Sequence, residues 1–172
     1  IFFTSKATNL APGSFTSGKE NLFWRDLLIS NTVALTTAGL TNFAVSPNGR
    51  YAAFKTSSAI NTLYIWDSFA GTRIYTNTGF PGIVASISPD GNRLAYTLSG
   101  QLQILGRSPS TNWSIGALPS VSRARIKFSG DGQFLTFASS SNQGFTDTNG
   151  TFDVYLYELS SKTKILVSRA NG

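Results

Sequence analysis

A nine-residue pattern occurs three times in this chain of 172 residues. It reads SPNGRYAAF at Ser46–Phe54, SPDGNRLAY at Ser88–Tyr96 and SGDGQFLTF at Ser129–Phe137. The copies begin at positions 46, 88 and 129, so the sequence repeats with a period of roughly 40 residues. A repeat of this length restricts the chain to architectures in which copies of one small structural unit pack side by side.

Each copy of the pattern begins with a turn. Proline presets φ at the second position, asparagine or aspartate tolerates the third, and glycine adopts a positive φ at the fourth. A short apolar segment precedes the turn and another follows it, which predicts a β-hairpin. The preceding segments are Phe43–Val45, Ile83–Ile87 and Ala124–Phe128.

Two further apolar segments follow each hairpin at matching offsets. The predicted third strands are Leu63–Trp66, Leu102–Leu105 and Val154–Tyr157. The predicted fourth strands are Arg73–Thr76, Trp113–Ile115 and Lys164–Ser168. Four short strands in roughly 40 residues form the blade of a β-propeller.

The first residues of the chain repeat only the later part of this pattern. Ile1–Phe3 corresponds to a second strand, Leu22–Arg25 to a third and Val33–Thr36 to a fourth. We therefore predict an all-β fold over residues 1–172, a β-propeller of about four blades of four-stranded antiparallel sheet in which the first blade is incomplete. The predicted blades span residues 1–38, 39–79, 80–119 and 120–172.

Closure of the ring is a further expectation. Blades of this length close in rings of six to eight, so we expect the chain to belong to a larger ring or to be a half-ring that oligomerises. Four isolated blades would leave two apolar sheet faces in water, where a partner protein, further blades or a second copy could cover them.

The repeat resembles the Pro-Asp-Gly variant of the WD repeat found in bacterial propellers of the TolB type. Its most specific element is the Ser-Pro-Asp-Gly hairpin at Ser88–Gly91, and Trp66-Asp67 stands where WD repeats end their third strand. The third copy departs from the pattern because Gly130 replaces the proline. The resemblance implies a propeller, and it implies a fold far more strongly than a function.

The composition excludes several kinds of chemistry. Cysteine and histidine are both absent, so disulfides, thiolate nucleophiles, the common zinc sites and a Ser-His-Asp triad are excluded within this chain. We find no P-loop and no Gly-x-Ser-x-Gly elbow either, and we expect no enzymatic activity and no cofactor. No apolar stretch approaches the ~20 residues of a membrane-spanning helix. A cysteine-free chain rich in Ser, Thr, Asn and Gly suits an exported bacterial protein, so we expect a periplasmic or extracellular location.

The net charge of +6 raises the question of nucleic-acid binding. Most of the basic residues are scattered singly, which favours a solvated surface and no nucleic-acid partner. The exception is Arg123, Arg125 and Lys127, which share one face of the predicted innermost strand of the fourth blade. This basic strand is interpreted either as a site near the channel for an anionic ligand or acidic partner, or as a set of partners for carboxylates of a neighbouring blade.

A second candidate site lies in the long loop of the fourth blade. Asp147, Asn149 and Asp153 place oxygen side chains at alternating positions of a flexible segment, which hard cations such as calcium favour. The segment lacks the spacing and terminal glutamate of an EF-hand. Local Asx-turn structure is the alternative interpretation.

These observations lead to three hypotheses about function. The first is a non-catalytic propeller scaffold or binding module that presents its loops and channel mouth to a protein or glycan partner. The second, which follows from the resemblance, is a propeller that gates the catalytic domain of a larger serine peptidase of the prolyl-oligopeptidase type. The third is a structural subunit of an extracellular fibre or surface layer.

Overall fold

A computed structural model describes residues 1–118, 126–146 and 151–168 of the chain. These residues form fifteen β-strands and no helix. The first seven strands are β1 (Phe2–Ser5), β2 (Asn21–Asp26), β3 (Asn31–Ala34), β4 (Leu40–Val45), β5 (Tyr51–Thr56), β6 (Leu63–Asp67) and β7 (Thr72–Asn77). The others are β8 (Ile83–Ile87), β9 (Arg93–Leu98), β10 (Gln101–Arg107), β11 (Ser110–Ala117), β12 (Lys127–Phe128), β13 (Phe134–Ser139), β14 (Asp153–Glu158) and β15 (Thr163–Leu166).

The strands form four separate antiparallel sheets, each an up-and-down meander. The first sheet has the order β1-β2-β3, the second β4-β5-β6-β7, the third β8-β9-β10-β11 and the fourth β12-β13-β14-β15. The fold is therefore all-β, a partial β-propeller whose first sheet has three described strands. This confirms the predicted fold class.

The repeated turns fold as their residues predict. In the third sheet the Gly91 N–H donates to the Ser88 carbonyl at 2.9 Å, and the Ser88 hydroxyl accepts the N–H of Arg93 at 2.9 Å. Gly91 has a φ of 68°, which favours glycine. The same pattern is present at Ser129, although Gly130 replaces the proline, because the carbonyl and hydroxyl of that serine accept the N–H groups of Gly132 and Phe134.

Three apolar clusters fill the spaces between neighbouring sheets. Phe54 of the second sheet packs with Leu22 of the first, and Ile65 of the second packs with Ile87 of the third. Ile104 of the third sheet and Tyr155 of the fourth belong to the last cluster. The sheets thus stack face to face. The connections between strands lie on two opposite sides of the stack, where the strands begin and end.

We call these two sides the turn face and the loop face. The turn face carries the β2–β3, β4–β5, β6–β7, β8–β9, β10–β11, β12–β13 and β14–β15 turns. The loop face carries the other connections between described strands, including residues 57–62 between β5 and β6.

The outer face of the first sheet differs from the expectation of two apolar faces in water. Phe3 and Phe23 stack there with ring centroids 5.4 Å apart, and Phe15 stacks on Phe23 at 5.8 Å. Phe23 is fully buried as a result. The expectation was wrong at this end because the loop between β1 and β2 folds back over the sheet.

The outer face of the fourth sheet is exposed, as expected. Val154, Ile165 and Val167 point away from the third sheet and are between 41% and 53% exposed. The corresponding face of the third sheet is covered by the fourth, where Leu102 and Ile104 are fully buried. The outer face of the first sheet is therefore covered, whereas the outer face of the fourth sheet is apolar and exposed.

Candidate functional site

The structure describes only one residue of the predicted basic strand. Arg123 and Arg125 lie outside the described residues, whereas Lys127 is in β12 and pairs with Thr136 of β13. Lys127 is exposed on the open face of the fourth sheet, and no carboxylate of the described residues lies within 4 Å of its ammonium group. Its role in anion or partner binding stays a prediction.

The predicted calcium site is likewise described only in part. Asp147 and Asn149 lie outside the described residues, and Asp153 is buried at the start of β14. One carboxylate oxygen of Asp153 accepts a hydrogen bond from the Ser168 hydroxyl at 2.7 Å, and that hydroxyl accepts the Val154 N–H at 2.9 Å. Across the described residues no three His, Cys, Asp or Glu side chains gather closely enough to hold a metal ion. Calcium binding stays a prediction.

A membrane-spanning helix is also absent from the part of the chain that the structure describes, since none of it is a long apolar helix.

A cleft lies on the turn face, between the first and second sheets. Its volume is about 440 Å³. Ile1, Arg25 and Leu27 at one end of the first sheet line it on one side, and Arg50 and Phe69 of the second line it on the other. A cleft of this volume is within the usual range of ligand pockets. We call it the turn-face cleft.

An ion pair fixes one wall of the turn-face cleft. Arg50 donates from Nε and Nη2 to the two carboxylate oxygens of Asp67, at 2.9 and 2.7 Å. These hydrogen bonds hold the pKa of the Asp67 carboxyl below its usual value and raise the pKa of Arg50. A bidentate guanidinium–carboxylate pair is among the most directional contacts in proteins. It joins the β4–β5 turn to the β6–β7 turn.

The same carboxylate orders the turn that carries Phe69. Asp67 Oδ1 accepts the N–H of Phe69 at 2.9 Å and that of Ala70 at 3.3 Å. The guanidinium carbon of Arg50 lies 5.2 Å from the centre of the Phe69 ring and 4.8 Å from the centre of the Tyr51 ring. The hydrogen bonds to Asp67 fix the backbone of the turn that carries Phe69.

The tips of the two turns beside the cleft expose large apolar side chains. Leu27, Leu28 and Ile29 in the β2–β3 turn are 61%, 95% and 70% exposed, and Phe69 in the β6–β7 turn is 86% exposed. Single exposed apolar residues are ordinary, but a contiguous group marks an interaction surface. We call these four residues the apolar tips.

The equivalent turns of the third and fourth sheets, both within the described residues, expose no large apolar side chain. The β10–β11 turn has Ser108 and Pro109 at its tip, and the β14–β15 turn has Ser160, Ser161 and Lys162. Since the same turn is built with polar residues in two sheets, the fold does not require apolar tips. Their presence in the first and second sheets needs a different cause.

Arg25 in the wall of the cleft has no carboxylate partner among the described residues. Its Nη1 donates to the Thr32 hydroxyl at 2.7 Å. The nearest acid in sequence, Asp26, uses Oδ1 to accept the Leu28 N–H at 2.8 Å. Arg25 therefore retains guanidinium hydrogens that an acceptor in the cleft could use.

The turn-face cleft and the apolar tips do not follow from the repeat. The run Leu27-Leu28-Ile29 begins two residues after the predicted third strand Leu22–Arg25, in a turn, where polar residues are usual. Its neighbour Phe69 is distant in sequence, and only the stacking of the sheets brings the two turns together.

Comparison with known proteins gives the fold and no closer relationship. No family model matches the sequence, and no curated protein matches it. The solved structures it resembles are TolB-like and other β-propeller proteins. A putative TolB from Agrobacterium tumefaciens matches with a TM-score of 0.57 and 15% identity, over 99% of this chain and 62% of that one.

Two other structures give the same result. TolB from Acinetobacter baumannii matches with a TM-score of 0.52 and 17% identity, over 89% of this chain and 39% of that one. The tricorn protease matches with a TM-score of 0.60 and 12% identity, over 99% of this chain and 18% of that one. The chain thus spans less than two thirds of each of these proteins. At such identities the likeness shows the propeller fold alone.

Proposed function

We propose that this chain is a non-catalytic β-propeller binding module that contacts a protein partner through its turn face. The observation that carries the proposal is the group of apolar tips beside the turn-face cleft. Exposed apolar surface costs free energy in water, at roughly 25 cal/mol per Å² of apolar area that could be buried. A fold that can build these turns from polar residues, as the third and fourth sheets do, gains nothing from such exposure unless a partner covers it.

A protein suits this surface better than a glycan. Three of the four apolar tips are aliphatic, and the fully buried centres of protein interfaces are apolar, with arginine and aromatic residues enriched. Arg50 and Phe69 stand together at the edge of this surface in that combination. We further propose a periplasmic or extracellular location, which the absence of cysteine supports.

Two other roles stay open as predictions. A propeller that gates a serine peptidase would require a hydrolase domain in the same polypeptide, with a Gly-x-Ser-x-Gly elbow. A fibre or surface-layer subunit would require repeated contacts between copies, for which the open face of the fourth sheet is available. Sequencing of the whole polypeptide tests the former, and mass measurement over a range of concentrations tests the latter.

Photo-crosslinking tests the binding role. A benzophenone amino acid replaces Phe69 in the full polypeptide, produced in its own cells, and the matched control replaces Ile60, which is 60% exposed on the loop face. We expect a discrete protein adduct from position 69 and none from position 60. No adduct at position 69, or the same adducts at both positions, would contradict the proposal.

A further inference from the structure

We propose that the outer edge of β11, the edge that does not pair with β10, binds an acidic extended segment of another protein as an added fifth strand of the third sheet. This edge belongs to a different sheet from the apolar tips, so it would be a second contact surface. Three features point to it: the composition of the strand, the direction of its backbone groups and the lysines beside it.

β11 is an unusually open sheet edge. It spans eight residues, more than any other described strand, and among the described strands only β10 pairs with it. Natural proteins protect exposed sheet edges with short strands, prolines or charged side chains. β11 contains no proline and no charged residue, whereas β3 and β15 have four residues each and β7 carries the exposed Arg73. At the opposite edges of the sheets, β8 contacts both β4 and β12.

The backbone of β11 directs alternate residues away from its sheet. The Arg107 N–H donates to the Asn92 carbonyl at 2.9 Å, on the β9 side of β10. Because backbone groups alternate in direction along a strand, Gln103 also faces β9, which leaves its neighbour Ser114 without a backbone partner on β10. The same alternation applies to Asn112. The N–H and C=O groups of Asn112 and Ser114 therefore point outward, where an added strand can pair with them.

The charges beside this edge favour an acidic segment. The Lys162 ammonium lies 5.2 Å from the centre of the Trp113 ring, and no carboxylate of the described residues lies within 4 Å of it. A residue of an added strand opposite Trp113 would direct its side chain to the same face, toward Lys162. Lys164 adds a second positive charge farther along the edge, where its ammonium donates to the Ile115 carbonyl at 3.2 Å.

A second copy of β11 fits this edge less well than an acidic segment does. Residues 108–122 contain no charged side chain, so a second β11 paired with the first would bring no carboxylate to Lys162. Such a pair would also place two molecules of net charge +6 side by side. An acidic segment of a different protein meets neither obstacle.

Selection from a library of random twelve-residue peptides, with the full polypeptide immobilised, tests this inference. We expect one class of enriched peptides to bind wild type and Ser114→Ala equally, and Ser114→Pro about tenfold more weakly, as measured by fluorescence anisotropy. Proline removes the outward N–H, whereas alanine keeps it, and proline is tolerated on an edge strand where the N–H faces solvent.

N-methylated forms of an enriched peptide test backbone pairing on the wild-type protein alone. An added strand directs only alternate N–H groups at its neighbour. We therefore expect N-methylation at alternate peptide positions to weaken binding about tenfold, and N-methylation at the positions between them to weaken it less. This comparison remains decisive if Ser114→Pro fails to fold.

The acidic chemistry is tested by replacing the Asp or Glu of an enriched peptide with Asn or Gln. We expect the amide form to bind wild type about threefold more weakly, the effect of losing one exposed ion pair. In Lys162→Gln the two forms should bind with equal affinity. The matched control is Lys6→Gln, an exposed residue between β1 and β2, in which the difference should persist.

Each part of the inference has an outcome that would overturn it. Strand addition is wrong if no peptide is enriched, or if N-methylation has the same effect at every position. The acidic partner is wrong if the acidic and amide peptides bind wild type equally. Dimerisation of wild type that is lost in folded Ser114→Pro would assign the edge to a second copy and overturn the inference. None of these results changes the adduct expected from position 69, which tests the proposed function separately.

Discussion

Gly91 lies directly against the ring of Tyr51 across the boundary between the second and third sheets. A Cβ atom on Gly91 would be 2.7 Å from Tyr51 Cδ1, closer than real contacts of this kind. The turn of one sheet thus rests on the first residue of a strand in its neighbour. Gly91 therefore serves both the turn, through its φ of 68°, and the packing of the two sheets.

This contact predicts that alanine is tolerated differently in two equivalent turns. Gly49 and Gly91 have φ values of 73° and 68°, so an alanine at either position is strained by roughly 1 kcal/mol. Gly49 has nothing within 4 Å of its Cβ position, whereas Gly91 has the Tyr51 ring. We expect Gly91→Ala to lower the free energy of unfolding clearly more than Gly49→Ala, as measured by urea denaturation. Equal losses would show that the ring contact has no energetic effect.

The Arg50–Asp67 pair predicts a pH-dependent stability. Because the pKa of Asp67 is lowered in the folded protein, the pair stabilises the fold at pH values above the ordinary carboxyl pKa, about 4, and this contribution is lost as the pH falls through the lower folded value. Asp67→Asn should therefore be less stable than wild type at pH 7, and the difference should shrink below pH 4. Arg50→Gln should show the same trend, and the double variant should lose less than the sum of both. A difference that is constant between pH 7 and pH 3 would contradict this account.

The contact between Phe15 and Phe23 predicts that removal of the Phe15 ring exposes the outer face of the first sheet. Phe15→Ala removes the ring that stacks on Phe23, so we expect a loss of roughly 1 to 3 kcal/mol in the free energy of unfolding, together with increased binding of a hydrophobic dye. The control is Leu10→Ala in the same loop, at a residue that is 37% exposed. An identical dye response from both variants would show that Phe15 does not cover the sheet.

The open face of the fourth sheet predicts self-association of the isolated chain. Val154, Ile165 and Val167 form an apolar surface that a monomer would leave in water. We expect the mass from sedimentation velocity to rise with concentration above 18.5 kDa, and Ile165→Lys to lower it where Ile60→Lys does not. A concentration-independent mass, with a radius of gyration of about 15 to 16 Å for a compact monomer, would contradict this prediction.

The repeat predicts the sheets well because each turn depends only on residues that are close together in the sequence. The turn residues at Ser46, Ser88 and Ser129 act within six positions of the chain, so their periodicity alone locates the hairpins and the strands beside them. The cover that Phe15 places on the first sheet could not be predicted in this way. Its loop has no periodicity, and the contact with Phe23 depends on how the loop returns over the sheet.

The candidate site was hidden for a related reason. Leu27 and Phe69 line the same cleft because two sheets stack side by side, and no sequence motif predicts that arrangement. A comparison of equivalent turns within the chain would have revealed the unusual apolar tips. The alternation of Arg123, Arg125 and Lys127 predicts that the three side chains share one face of a strand. It does not show that they bind a common partner.

We propose that the apolar tips of the turn face bind a protein. The most direct measurement is the sedimentation coefficient of the tagged full polypeptide in an extract of its own cells, compared between wild type, a Leu28→Asp/Phe69→Asp double variant and Ile60→Asp. We expect wild type and Ile60→Asp to sediment faster in the extract than the purified polypeptide does. We expect the double variant to have the sedimentation coefficient of the purified polypeptide. Equal sedimentation of the double variant and Ile60→Asp, with both folded by circular dichroism, would contradict it.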